Sequence, residues 1–370
     1  MNLILLTSSR ADYGIYRPLL RALAADDFFT FRVIPFGTHL SRLHGYTIRE
    51  IEQDGFPLSH PTETQLLGDS PEIIARSMGL TTQKFSEIWA ELGTEIDLVF
   101  ALGDRYEMLA AVLATVPFGL PVAHLHGGET TLGAIDNAFR HSLTHIARYH
   151  FPATERAARR VAELRGSDEH VYPVGALALD NVRTLPLLST EEFRRKFGVD
   201  LSVPTVLFTF HPETVAFGKN AGYLEILLEV LRAVPDPLLI TLPNADTMGD
   251  LIRDGLLNFA RERPDAHVVD SLGTQGYFTA LRECRYVLGN SSSGILEAAS
   301  FRKYVVNVGD RQLGREAGEN VLHVPIDRER ILEIIAQIPS LPPLSGENWY
   351  GDGHTAERIV KILKNLSLSS

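Results

Sequence analysis

The sequence predicts an α/β protein built from two doubly wound parallel sheets. Three observations carry this expectation. Short apolar runs such as Asn2–Thr7, Asp97–Ala101 and Pro121–Leu125 do not alternate with polar residues, as suits strands buried on both faces. Segments with helical spacing separate these runs, giving repeated β-α alternation. After a Pro-punctuated stretch the same alternation starts again, so one architecture is used twice. A chain of 370 residues is long enough for two domains of ordinary size, each with its own core. The expected boundaries are 1–184, 185–350 and a terminal helical segment, 351–370.

Taken in order, Asn2–Thr7 is a central strand. It is followed by Ser8–Gly14 and a helix with Ile15, Leu19, Leu20 and Leu23 on one face. A strand, a Ser/Gly turn and a helix start form a natural anion cradle. Arg10 in that turn is either a phosphate contact or a solvated loop arginine. Phe31–Phe36 is the second strand. Gly37–Glu63 reads as an irregular, mobile flap whose histidines, His39, His44 and His60, lack metal-ligand spacing. Ser70-Pro71-Glu72 starts a helix with Pro at N1. That helix runs through Met78, Phe85, Ile88, Trp89 and Leu92, with a bend near Gly79. Beyond the strands at Asp97–Ala101 and Pro121–Leu125 come a strand at Tyr149–Pro152, a helix at Thr154–Leu164 and a strand at His170–Val174. Leu185–Pro204, including the charged piece Glu191–Lys196, reads as the connection between domains. Thr205–Phe210, Pro237–Leu242, Tyr286–Leu288 and Tyr304–Val308 are the strands of the second series. Thr355–Leu366 has helical spacing at Ile359, Ile362 and Leu363.

Composition narrows the function. Hydrophobic content of 45% and charged content of 22% are those of a soluble globular protein. A net charge of −11 argues against bulk binding to nucleic acid or to an anionic membrane, so any phosphate site must be local. Cys284 is the only cysteine, which suits a reducing compartment. Leu3–Leu6 is too short for a signal-peptide core, and no apolar run approaches the ~18 residues needed to span a bilayer. The expectation is a cytoplasmic enzyme with neither nucleic acid nor membrane as partner.

The chemistry concentrates between Leu102 and His150. Gly103-Asp104-Arg105 and Gly127-Gly128-Glu129 fall just past strand ends, where open α/β sheets bind ligands. Asp136 opens the next helix, with Arg140 one turn later on the same face. Carboxylates converging beside cations make a candidate acid/base site next to an anion. Structural readings stand beside this one: Asp104 as a helix N-cap, Asp136 with Arg140 as a helix-surface pair, Gly127-Gly128 as a tight turn. In the second half, Asn290–Gly294 offers backbone N–H groups and serine hydroxyls at a helix start, and Arg311 adds a charge with bidentate reach one strand later. Glu297, one turn into that helix, suits ribose hydroxyls better than phosphate. Neither Gly-x-Gly-x-x-Gly nor a P-loop is present.

Together these residues resemble one family. Ser9-Arg10-Ala11-Asp12-Tyr13-Gly14, Gly103-Asp104-Arg105-Tyr106-Glu107, His126-Gly127-Gly128-Glu129, Arg140-His141, His211-Pro212-Glu213-Thr214, Gly289-Asn290-Ser291-Ser292-Ser293-Gly294 and Gly309-Asp310-Arg311-Gln312 match, in order, the hydrolysing UDP-N-acetylglucosamine 2-epimerases of sialic- and legionaminic-acid pathways. The resemblance covers nearly the whole chain. It implies a GT-B-like fold, two Rossmann-like domains facing a cleft, with the C-terminal helix packing back across the first. It also implies a nucleotide-sugar substrate, a homodimer or homotetramer, and no metal or organic cofactor. Elimination of UDP with loss of the C2 proton would give a glycal, and hydration with reprotonation from the other face would yield N-acetylmannosamine. By the same resemblance Asp104, Glu129, Asp136 and His211 are catalytic. Arg10, Asp12, Arg105, Asn244, Asp246, Ser291, Ser292, Glu297 and Arg311 bind the nucleotide.

One departure bears on the substrate. Many relatives carry a second acid directly after the position of Asp136, where this chain has Asn137. The same reaction on a UDP- or GDP-linked 2,4-diacetamido-2,4,6-trideoxyglucose is therefore the alternative. Three rivals stand against the epimerase reading: a metal hydrolase using His124-x-His126, a GT-B glycosyltransferase, and a non-catalytic nucleotide-sugar sensor.

Overall fold

The computed structural model describes residues 1–43, 45–68, 70–132, 135–213, 217–243 and 249–367. The chain divides into two compact units, one of Met1–Glu129, Asp136–Arg183 and Tyr350–Ser370, the other of Thr130–Ile135 and Thr184–Trp349.

The first unit holds five strands: β1 (Asn2–Thr7), β2 (Thr30–Pro35), β3 (Leu98–Leu102), β4 (Val122–Leu125) and β5 (Tyr149–Phe151). All pair in parallel, in the order β2-β1-β3-β4-β5. The uninterrupted apolar character of β1 has a direct cause. Successive side chains of a strand point to opposite faces. Leu3 and Leu5 enter a core with Tyr13, Leu19, Leu20 and Leu23 of the helix Arg10–Ala24. Ile4 and Leu6 enter a second core with Phe85, Ile88 and Trp89 of the helix Pro71–Leu92 and Met108 of the helix Tyr106–Leu113. Both faces are covered, so neither has room for polar residues.

The second unit holds β6 (Val206–Thr209), β7 (Leu238–Thr241), β8 (Ala266–Val269), β9 (Val287–Gly289), β10 (Val305–Val308) and β11 (Val321–Val324). They form a parallel six-stranded sheet in the order β11-β10-β9-β6-β7-β8. Its core gathers Val206, Phe208, Ile240, Leu288, Val306 and the facing Leu227, Leu256 and Ile331.

Several local expectations need correction. His170–Val174 is no strand. Only Val171 bridges, to His150, because His170 sits at φ +60° and Pro173 has no N–H to donate. The expected flap is built structure. It contains a 3-10 turn at Gly37–Leu40 and a helix at Ile48–Asp54, while Leu58 and Thr62 bridge to Val33 and Phe36. His39 lies buried between the hydroxyls of Thr7 and Thr47, each 2.9 Å away, and burial lowers its pKa to about 4. His44 lies outside the described residues. The helix Pro71–Leu92 continues as one α-helix through Gly79. Within the expected connection, Thr190–Phe197 is a helix. Ser189 and Glu192 form a reciprocal capping box there, and Phe193 is buried. The edge strands β8 and β11 were not expected from sequence. Each is only partly buried and lacks an unbroken apolar run.

The last segment returns to the first unit. Ile359 and Leu363 of the helix Thr355–Ser367 are fully buried in the core that also holds Leu3 and Leu19. Asp180, from the helix Ala178–Thr184, secures its start. Its two carboxylate oxygens accept from the N–H groups of Thr355 at 2.9 Å and Ala356 at 2.7 Å. The cap is thus supplied from 175 residues upstream, and it meets the positive end of the helix dipole. Arg183 donates to the Gly353 carbonyl and Arg358 to the Val174 carbonyl.

Replacing Asp180 with alanine strands both N–H groups. The expected result is a loss on the order of 2–4 kcal/mol, with hydrogen exchange accelerated first in the Thr355–Leu366 segment. Uniform protection across the unit in Asp180→Ala would show that the cap does not hold this helix.

Candidate active site

In the first unit the switch point lies at β1 and β3. The helix after β1 packs on one face of the sheet and the helix after β3 on the other, so the chain diverges between their carboxyl ends. The Ser8–Asp12 turn and Gly103–Arg105 occupy these ends. Ser9 caps the helix Arg10–Ala24, which places Arg10 in its first turn. Asp12 is buried and turned into its own loop. One carboxylate oxygen accepts from the Ser8 N–H at 3.0 Å and the Ser8 hydroxyl at 2.7 Å. Burial raises its pKa, and the charge of Arg105 opposes the rise. Arg105 grips the buried Glu107 through bonds of 3.2 and 2.9 Å.

The centre of the unit is Arg140, whose relative exposure is 1%. Its guanidinium pairs with Asp104 and donates to the backbone carbonyl of Glu129 at 2.8 Å. The structure therefore brings together Asp104, Glu129 and Arg140, with Asp136 four residues ahead of Arg140 on the helix Asp136–Ile146. Arg105, rather than Asp104, holds the N-cap place of the helix Tyr106–Leu113. Arg140 was legible only as part of a motif; its anchoring role depends on a contact 36 residues apart in sequence.

The paired histidines are turned to different partners. His124 is fully buried, with Nε2 2.8 Å from the Gly103 carbonyl and Nδ1 3.3 Å from the Thr144 hydroxyl. Desolvation lowers its pKa to about 4. His126 instead approaches Glu129, Nδ1 to Oε1, at 2.9 Å. Among the described residues, no cluster of three or more His, Cys, Asp or Glu side chains is arranged to hold a metal ion.

The second unit has its own converging strand ends. Asn290, after β9, clamps the backbone of His211, after β6. Its side-chain oxygen accepts from the His211 N–H at 2.7 Å and its amide donates to the His211 carbonyl at 2.8 Å. The strands themselves approach so closely that a Cβ on Gly289, at φ +135°, would lie 1.9 Å from the Thr209 carbonyl oxygen. Gln312 donates to the Asn290 carbonyl at 2.9 Å, and Arg311 reaches it at 3.4 Å. Glu213 ties in the third loop by accepting the Asp310 N–H at 3.0 Å. His211, Asn290–Ser293 and Arg311 are thus joined at the ends of β6, β9 and β10.

The serine loop differs from expectation in one respect. Ser291 caps a helix of only five residues, Ser292–Leu296, and Glu297 ends that helix rather than lying within it. Ser293 bonds to Ser291 at 3.0 Å and to Tyr277, a half-buried partner that sequence spacing does not reveal. Glu297 is buried with Oε2 unpartnered among the described residues, and desolvation, partly offset by Arg315, raises its pKa to about 7. Asn244, Asp246 and Thr214 lie outside the described residues.

The profile of the UDP-N-acetylglucosamine 2-epimerase family matches residues 21–364. The chain belongs to that family. It is 33% identical over 369 residues to the UDP-N,N'-diacetylbacillosamine 2-epimerase (hydrolyzing) of Legionella pneumophila, covering 100% of this chain and 97% of the relative. It is 31% identical to the GDP/UDP-N,N'-diacetylbacillosamine 2-epimerase (hydrolyzing) of Campylobacter jejuni, covering 88% of this chain and 85% of that one. Among solved structures, it is similar to the UDP-GlcNAc 2-epimerase of Neisseria meningitidis bound to UDP-GlcNAc. The TM-score is 0.79 at 16% identity, covering 99% of this chain and 100% of that one. The fold is GT-B-like, with two Rossmann-like parallel-sheet domains.

Glu297 offers a test of the ligand-free second domain. Its folded pKa stands above the unfolded value of 4.5, so the folded state keeps its proton longer. Its contribution to stability is full below pH 4.5 and is lost as pH rises through about 7. Relative to wild type, Glu297→Gln should gain thermal stability progressively across that window. Parallel melting-temperature profiles from pH 4.5 to 8 would show that the carboxylate is already compensated.

Proposed function

We propose that this chain is a hydrolysing 2-epimerase that releases UDP from a UDP-linked 2-acetamido sugar and inverts C2. The observation that carries the reading is the Arg140-centred cluster. It gathers Asp104 and the Glu129 loop at strand ends, one helical turn from Asp136. A base removes the C2 proton, the C2–H electron pair forms the C1–C2 double bond, and the C1–O pair leaves with UDP. Water then adds its hydroxyl to C1 while a proton reaches C2 from the other face, giving a manno-configured free sugar. Asp104, Asp136, the His126–Glu129 pair and His211 are the proton-transfer groups. Arg10, Arg311, Ser291 and Ser292 meet the diphosphate, whose charge grows as C1–O breaks. Glu297 accepts from the ribose hydroxyls; Asp12 and Arg105 support the Arg10 loop, and Asn244 and Asp246 complete the nucleotide contacts.

The sequence alone favours UDP-N-acetylglucosamine, with the 2,4-diacetamido sugar second. The identities of 33% and 31% to diacetylbacillosamine 2-epimerases support reversing that order. Asn137 is in keeping with this, since an amide offers a donor and an acceptor that an acetamido group can match. The preferred substrate is thus UDP-2,4-diacetamido-2,4,6-trideoxyglucose.

NMR of both UDP-sugars incubated with the protein in heavy water tests the reaction and the substrate together. The expected outcome is faster release of UDP from the diacetamido sugar and one deuterium at C2 of a manno-configured product. A gluco-configured product retaining its C2 proton would sink the mechanism. Faster turnover of UDP-N-acetylglucosamine would restore the other order.

Substitutions separate chemistry from binding. Asp104→Asn and Asp136→Asn should each lower kcat by ~10²–10⁴-fold while leaving UDP affinity nearly intact. Arg311→Ala should weaken UDP binding by ~1.5–3 kcal/mol against ~1 kcal/mol for Ser291→Ala. Calorimetric titration decides the second pair; equal losses for both would place the anion elsewhere.

A further inference from the structure

We propose that His126 is the base that takes the C2 proton and that Glu129 acts by positioning it, an inference that rests on the epimerase reading above. His126 sits at φ +62°, a left-handed conformation that costs a non-glycine residue strain and persists only where surroundings enforce it. Three contacts enforce it. The His126 N–H donates to the Phe151 carbonyl at 3.2 Å. Gly128 presses so tightly on the helix Glu155–Arg165 that a Cβ there would stand 2.1 Å from the Ala157 carbonyl oxygen. Arg140 holds the Glu129 carbonyl at 2.8 Å. The loop is pinned at both ends with its histidine turned the uncommon way.

The ring follows from that backbone. Its Nδ1 lies 2.9 Å from Glu129 Oε1, with side-chain exposures of 12% for His126 and 4% for Glu129. An ionised carboxylate only accepts hydrogen bonds, so Nδ1 carries the hydrogen. In the neutral ring the lone pair then resides on Nε2, which is buried and has no partner among the described residues. This is the arrangement of a base oriented by a carboxylate. When Nε2 takes the proton from C2, the C2–H pair becomes the C1–C2 double bond and the C1–O pair departs with UDP. The imidazolium that forms is stabilised by Glu129 across the Nδ1 bond.

The order of severity of two variants tests this. Asparagine tolerates positive φ better than most residues, so His126→Asn removes the imidazole while sparing the loop. His126→Asn should lower kcat by ~10²–10⁴-fold, with UDP affinity within about twofold of wild type. In Glu129→Gln the amide oxygen still accepts from Nδ1, so kcat should fall by only about tenfold. A loss for Glu129→Gln equal to or greater than that for His126→Asn overturns the assignment. A second measurement needs no substrate. In mildly alkaline solution, nitrogen-15 shifts of His126 should show hydrogen at Nδ1 and a bare Nε2, and Glu129→Ala should shift the ring toward the opposite tautomer. A wild-type ring protonated at Nε2 overturns the proposal. Wild-type protein that turns over neither UDP-sugar would refute the proposed function, whereas the tautomer measurement judges the His126–Glu129 arrangement by itself.

Discussion

A guanidinium sealed inside the first domain sets the terms for everything around it. Arg140 is almost wholly removed from water, and a buried cation is tolerated only where anions and carbonyls surround it. Asp104 supplies the charge and the Glu129 carbonyl supplies an acceptor. Two loops following different strands are thereby fixed to one helix. The same contact fixes where the Glu129 side chain starts, and hence where His126 finds its partner. Positions in a proton-transfer site must be held to fractions of an ångström. In the proposed site a buried charge, rather than apolar packing alone, would hold them. Losing Arg140 would leave Asp104 and the Glu129 carbonyl without their shared donor, so its effect would spread over the whole cluster.

The second domain reaches a similar end chiefly through two side-chain amides. Asn290 exchanges two hydrogen bonds with the His211 backbone, and its own carbonyl receives Gln312. This joins the loops after β6, β9 and β10, with the Glu213 carboxylate adding a further tie to Asp310. Arg311 reaches the same carbonyl at 3.4 Å. Each domain thus carries an arginine at its strand ends, Arg140 in one and Arg311 in the other.

How much of this was legible in the sequence depends on what kind of interaction produced it. The central strands were readable because burial on both faces leaves an uninterrupted apolar run, as in β1. Edge strands β8 and β11 are half solvated and carry no such signature. The helix Thr190–Phe197 was signalled by Ser189 and Glu192, yet flanking prolines and charge made it read as a connection. Motif residues such as Asp104, Glu129, His211 and Arg311 could be named from their places after strands. What could not be read is which side chain holds which. Tyr277 against Ser293, Glu213 against Asp310 and Nδ1 of His126 against Glu129 are tertiary facts. The left-handed turn of His126 is another, since histidine in sequence does not announce a positive φ.

The helix Thr355–Ser367 carries a consequence for the order in which the protein is made. Ile359 and Leu363 complete the core that Leu3, Tyr13 and Leu19 begin, and the cap on Asp180 joins residues 175 positions apart. Domains generally form as they leave the ribosome, N-terminal first. Here the first domain emerges with part of one core, the part that Ile359 and Leu363 complete, still uncovered while the second domain is translated. The nascent chain therefore has a window, measured by the synthesis of the second domain, in which apolar surface is open to chaperones or to self-association. A late-arriving helix thus makes completion of the oldest part of the protein depend on its newest.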